Sequence, residues 1–126
     1  MPSPPVLVVD DDPIIVRLIT LALRSAGYEV ASAADGEEGL EQVRELNPAL
    51  VLTDADMPRL SGYDLCRKLR ADPEVIPQPH VVMLTAAGQD ADREQAEQAG
   101  VDEFMTKPFS PSQLIVRVRD VLGTRS

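Results

Sequence analysis

Five times along the chain a short strand-like segment gives way to a longer segment with apolar residues at helical spacing, and this alternation constrains the fold more than any other feature. Val6-Leu7-Val8-Val9, Leu50-Val51-Leu52 and Val81-Val82-Met83-Leu84 are uninterrupted apolar runs, the pattern of parallel strands buried on both faces. Glu29-Val30-Ala31-Ser32-Ala33 and Asp102-Glu103-Phe104-Met105-Thr106 mix polar and apolar residues, as edge strands do.

The intervening helices carry their own start and stop signals. Asp12-Pro13 reads as an N-cap and first-turn proline for a helix that closes at Gly27. Asp35 precedes Gly36-Glu37-Glu38, with Leu40, Val43 and Leu46 as an inward stripe before Asn47-Pro48 ends the helix. The third helix is expected from about Gly62 to Arg70, the fourth from about Asp90 to Gly100, and the fifth from Ser110-Pro111 to Gly123. No linker or repeat divides the chain, so one domain over residues 1–126 is expected, with its core at about 6–122.

Parallel strands need crossovers, and those crossovers are right-handed. Three inner and two outer strands give an α/β fold: a five-stranded parallel sheet of order 2-1-3-4-5, doubly wound and flavodoxin-like, with five helices. Ligands of such sheets sit beyond the carboxyl ends of the strands, where the chain direction reverses between strands one and three.

Four strand ends converge on that crevice. They carry Asp10, Asp11 and Asp12; Asp54; Thr85; and Lys107, followed by Pro108. Crowded carboxylates repel one another and destabilise a fold unless a cation balances them, and Mg2+ suits an all-oxygen shell that keeps several waters. The same set suits phosphoryl transfer: Asp54 as nucleophile forming an acyl phosphate, with the Lys107 ammonium and Thr85 hydroxyl on the phosphoryl oxygens. Taken singly, each residue has a plainer reading. A strand-end Asp is commonly a turn or cap residue, Thr85 caps a strand, His80 is a solvated loop residue without a ligand role, and Cys66 is a small buried hydrophobe. Only the ordered coincidence of all the pieces points to function.

These motifs resemble the receiver domain of bacterial response regulators in two-component signalling, of which the chemotaxis regulators are one type, from Val6 to Leu122. Val8-Val9-Asp10-Asp11-Asp12-Pro13 resembles the acidic-pair motif and Asp54-Ala55-Asp56-Met57-Pro58, with Gly62 following, the phosphoacceptor motif. Met83-Leu84-Thr85-Ala86 and Thr106-Lys107-Pro108-Phe109 resemble the two motifs that complete the site. The resemblance implies metal ligation by Asp10, Asp11, Asp54 and the backbone carbonyl of Asp56, and leaves Asp12 as a helix cap. It implies phosphorylation of Asp54, with Thr85 and Lys107 as the switch residues. Phe104 stands where the family keeps an aromatic residue, often Tyr; it retains the ring without the hydroxyl, and reads equally as edge-strand packing. Asp56 and Ala87 flank the path by which water reaches the acyl phosphate in this family.

The implied partners are a sensor histidine kinase or phosphotransfer protein as donor. The readers are an output domain, a target protein or a second receiver, a homodimer included, engaged through the fourth helix, fifth strand and fifth helix. A net charge of -9 without a basic stripe argues against nucleic acid as a direct partner of this domain. No run of roughly 20 apolar residues suggests a membrane span, and the N-terminus lacks the blocks of a signal peptide, so a cytoplasmic location is expected. Three other readings stand beside this one. A haloacid-dehalogenase-type phosphatase shares Asp54-Ala55-Asp56 but not Pro58, a flavodoxin would need a Ser/Thr/Gly-rich phosphate loop, and an inactive scaffolding receiver usually lacks a site residue.

Overall fold

Register along the sheet decides where every functional side chain lies. A computed structural model describes residues 4–57, 59–86, 90–107 and 109–123, with backbone alone for residues 86, 90–93 and 96. The strands β1 (Val6–Val9), β2 (Val30–Ala33), β3 (Leu50–Asp54), β4 (His80–Ala86) and β5 (Glu103–Lys107) form one sheet in the order β2-β1-β3-β4-β5. Every neighbouring pair is parallel, as the alternation requires.

Helices α1 (Pro13–Ser25), α2 (Gly36–Leu46), α3 (Gly62–Ala71) and α4 (Asp90–Ala99) are the crossovers, and α5 (Pro111–Leu122) follows the last strand. Because side chains alternate along a strand, the sheet divides its apolar residues between two cores. Leu7, Val9, Val51, Val81 and Met83 meet Val43 of α2 and Leu65 and Leu69 of α3. Val6, Val8, Leu50, Leu52, Val82 and Leu84 meet Ile19 and Leu23 of α1 and Leu114 and Val118 of α5. Each fully buried Leu or Val contributes about 1.5–3 kcal/mol relative to exposure, so the uninterrupted runs of the central strands are what secures both faces.

Short polar contacts set the helix ends. The Asp12 side chain accepts from the Ile14 N–H, Asp35 from the Glu38 N–H, and Ser110 forms a reciprocal capping box with Gln113. Asn47 closes α2 in the left-handed region at φ 46°, and Gly27 turns the chain after α1 at φ 96°. Among the described residues, no helix is long and apolar enough to cross a membrane.

Two expectations need correction. The last three strands run further toward the crevice than hydropathy indicates: Asp54 pairs with Leu84, Thr85 with Thr106 and Lys107 with Ala86, so all three residues lie in strands rather than follow them. Ladder pairing does not depend on side-chain polarity, which is why an apolar run underestimates strand length. His80 is not a solvated loop residue. It opens β4, half-buried, with Nε2 2.8 Å from Oε2 of Glu103, whose other oxygen accepts from Arg117 at 2.8 Å.

Candidate functional site

At the carboxyl ends of β1 and β3 the chain places three carboxylates together. One oxygen from each of Asp10, Asp11 and Asp54 lies within 4.8 Å of the others. Asp10 directly follows β1 and is only 2% exposed, while Asp54 is half-buried and Asp11 is open to solvent. The Asp10 backbone N–H donates to the carbonyl of Ala33, and its Oδ1 accepts from the Asp12 N–H at 2.9 Å. Its Oδ2 is buried and accepts no hydrogen bond from the described residues; the Lys107 ammonium stands 3.5 Å away. Burial pushes the Asp10 carboxyl above its ordinary range, and the charges of Asp54 and Asp11 add to that. The Asp12 N–H and Lys107 oppose the rise without cancelling it.

Lys107, the last residue of β5, reaches across β4 to Asp54 with Nζ 3.0 Å from Oδ1. Burial alone would lower its basicity, but the hydrogen bond to Asp54 and the charges of Asp10 and Asp54 outweigh it and raise the pKa. Three carboxylates facing one ammonium leave an excess of negative charge. The Asp10 oxygen that accepts no hydrogen bond and the closeness of the three acids therefore fit a hard divalent cation with oxygen ligands. Asp10, Asp11 and Asp54 could hold such an ion.

Thr85 lies in β4, one register step beyond Leu84, the partner of Asp54, and is 6% exposed. Asp56 has an exposed side chain between the buried Ala55 and Met57, so the loop after β3 is seated in the core on either side of it. Phe104 pairs with Met83 and packs, partly buried, against the α2/α3-side core. Asp12 is the α1 cap and stands apart from the carboxylate cluster. Ala87, Pro58 and Pro108, all named by the sequence motifs, lie outside the described residues.

Glycines define the site in a way the motifs only hint at. A Cβ on Gly62 would overlap the backbone oxygen of Asp54 and sit 2.8 Å from the sulfur of Met83, while the Gly62 N–H donates to the Ala55 carbonyl. Gly36 is crowded by Leu60, whose carbonyl oxygen would stand 2.7 Å from an added Cβ. The sequence offers a helix-start glycine as the one signal for Gly36, and nothing in it names Leu60 as its neighbour. On the opposite flank, a cavity of about 610 Å3 opens between β5 and α5, with Phe109, Val116 and Arg117 among its lining residues.

The model for the response regulator receiver domain family matches residues 6–119. The DNA-binding response regulator MtrA of Mycolicibacterium smegmatis is 44% identical over 114 residues, covering 90% of this chain and 48% of that protein. The DNA-binding dual master transcriptional regulator RpaA of Synechocystis is 40% identical over 119 residues, covering 94% and 49%. Chemotaxis protein CheY4 of Vibrio cholerae has the same fold, with a TM-score of 0.88 at 28% identity over 95% of this chain and 99% of that one. The receiver domain of the Francisella response regulator 1452 matches with a TM-score of 0.84 at 32% identity, over 94% and 96%.

The chain belongs to the response regulator receiver domain family. It is a receiver domain of two-component signalling, a signalling module rather than a conventional enzyme, and its Asp cluster is consistent with a phosphoacceptor site. It spans about half the length of the curated relatives it matches.

Proposed function

We propose that residues 1–126 form one cytoplasmic receiver unit that takes a phosphoryl group on Asp54 from a histidine kinase or phosphotransfer protein. The observation that carries this reading is the meeting of Asp10, Asp11 and Asp54 with Lys107 at the strand ends. A carboxylate oxygen of Asp54 attacks phosphorus and forms the P–O bond. The P–N bond of a phosphohistidine breaks, and the imidazole leaves with its electron pair and gains a proton. Bound Mg2+, held by Asp10, Asp11, Asp54 and the Asp56 carbonyl, would offset negative charge on the incoming group.

The chain's own residues do the rest. Lys107 offers its ammonium to a phosphoryl oxygen in exchange for the Asp54 oxygen it now holds, and Thr85 offers its hydroxyl. Phosphorylation adds about 1.5–2 negative charges at Asp54, which favours the state in which both groups close on it. Catalysis is thus limited to the domain's own phosphorylation and dephosphorylation, with Asp56 and Ala87 setting the lifetime. The reader, an output domain, target protein or second copy, engages α4, β5 and α5, where Phe104 and the cavity between β5 and α5 offer apolar surface. The names of the relatives attach DNA binding to proteins about twice as long. With a net charge of -9, this chain is read as regulating such an output rather than touching nucleic acid itself.

The convergence of all four charged residues favours this reading over an inactive scaffold. Membership in the receiver family sets aside the phosphatase and flavodoxin readings. The test is incubation with acetyl phosphate, with and without Mg2+, followed by intact mass. Wild type gains one phosphoryl group only with the metal, and Asp54→Asn gains none. A gain that ignores the metal or the substitution refutes the assignment.

A further inference from the structure

The loop between β3 and α3 carries Asp56 and is pinned at several points. The Ala55 N–H donates to the carbonyl of Leu84, Met57 is buried, and Gly62 packs directly on the Asp54 backbone. These contacts hold Ala55, Met57 and Gly62 in place. Leu60, between the last two, meets the first residue of α2. A Cβ on Gly36 would stand 2.7 Å from the Leu60 carbonyl oxygen, 2.8 Å from its Cβ and 2.9 Å from its Cδ2. Two of those atoms belong to the backbone or are fixed to it, so no rotamer change relieves the overlap. Leu60 in turn packs against the core cluster that contains Val9, Ala55 and Met57, the immediate neighbours of Asp10, Asp54 and Asp56.

We propose that Gly36 and Leu60 form a steric stop that sets the height of the β3–α3 loop, which makes Leu60 a positioning residue for metal ligation by Asp54 and Asp56. The stop rests on the metal reading given above. It acts through packing alone: any side chain at position 36 displaces Leu60, and Leu60 displaces the core it packs on, which contains Ala55 and Met57, the two neighbours of Asp56. A ligand set displaced by a few tenths of an ångström loses affinity for an ion that demands near-octahedral geometry.

The test is titration with MgCl2 alone, followed by the backbone amide shifts of Asp11 and Asp56, on wild type, Gly36→Ala, Leu60→Gly and the double variant. Gly36→Ala weakens Mg2+ binding on the order of tenfold, the range seen when residues supporting metal ligands are altered. The double variant binds no more weakly than Leu60→Gly, because the flexible residue yields to the added methyl. Gly27→Ala serves as the control for general destabilisation. Gly27 sits at φ 96° with nothing within 4 Å of an added Cβ, so this change strains the backbone far from the crevice and leaves Mg2+ affinity at the wild-type value. Equal affinity of Gly36→Ala and wild type would overturn the stop, as would equal losses in the Gly36→Ala and Gly27→Ala variants. A wild type that bound no Mg2+ would overturn the metal reading and the stop together.

Discussion

The ammonium of Lys107 lies 3.0 Å from Oδ1 of Asp54, across 53 residues of sequence, and is the one cation in the ion pairs of the carboxylate cluster among the described residues. Removing it should leave Asp10 and Asp54 facing each other without compensation. Lys107→Ala is expected to lower stability in EDTA by about 1–2 kcal/mol, less than a fully buried pair because the lysine is partly exposed. Saturating Mg2+ should recover most of that loss, since the ion supplies the missing charge and binds only the folded state. Urea unfolding with and without the metal measures both effects. A variant as stable as wild type in EDTA would show that the pair carries no weight.

Asp10 gives the opposite sign. Its carboxyl is held above the ordinary 3.8, so the native state keeps this proton to higher pH than the unfolded chain does. This group's contribution to stability therefore falls as pH rises from 3.8 through the native pKa. Asp10→Asn removes the ionisation and should stabilise the metal-free protein near neutral pH by about 1 kcal/mol, while weakening Mg2+ binding. The advantage should vanish in acid, where wild-type Asp10 is also neutral. Melting temperatures in EDTA across that pH range decide the matter, and an advantage that persisted unchanged in acid would exclude the charge as its cause.

Much of this was legible in the sequence, for a physical reason. Once Val6–Val9, Leu50–Leu52 and Val81–Leu84 are read as buried parallel strands, topology fixes where their ends lie, and Asp10, Asp11, Asp54 and Lys107 follow. Asp12 was separable from Asp10 because Pro13 marks a helix start. The unread parts are contacts between segments that no local pattern links. Gly36 looks like an ordinary first-turn residue until Leu60 is placed against it. His80 looks solvated until β5 brings Glu103 beside it. Hydropathy also stops β3 at Leu52, because it registers burial and not the hydrogen-bond ladder that continues to Asp54.

Cys66 is fully buried, and that burial pushes its thiol up to about 11, with Arg70 opposing the rise. The thiolate is the reactive form, so the native protein should resist alkylation near neutral pH and react only through opening. Between pH 9 and about 11 the unfolded chain releases this proton first, so stability should decline with rising pH across that window. Cys66→Ala should flatten that decline. Labelling of the native protein as fast as in denaturant would contradict the burial.

On the proposed phosphorylation of Asp54, Asp56 should affect lifetime rather than phosphorylation itself. Its side chain is exposed between the buried Ala55 and Met57, two residues past Asp54, which leaves it open to the water that would attack an acyl phosphate there. A carboxylate there can accept a hydrogen bond from incoming water and hold it for attack on phosphorus, which an alanine methyl cannot. Positioned proton acceptors contribute up to about 10²–10⁴-fold, but an exposed one should give far less, on the order of threefold to tenfold. Asp56→Ala is therefore expected to take up phosphate from acetyl phosphate to the wild-type extent and to lose it several-fold more slowly. The substitution leaves the Asp56 carbonyl in place, so Mg2+ affinity should change little, which separates this effect from loss of the metal. Dephosphorylation followed after removal of the donor provides the measurement, and a rate equal to or faster than wild type would rule out the role.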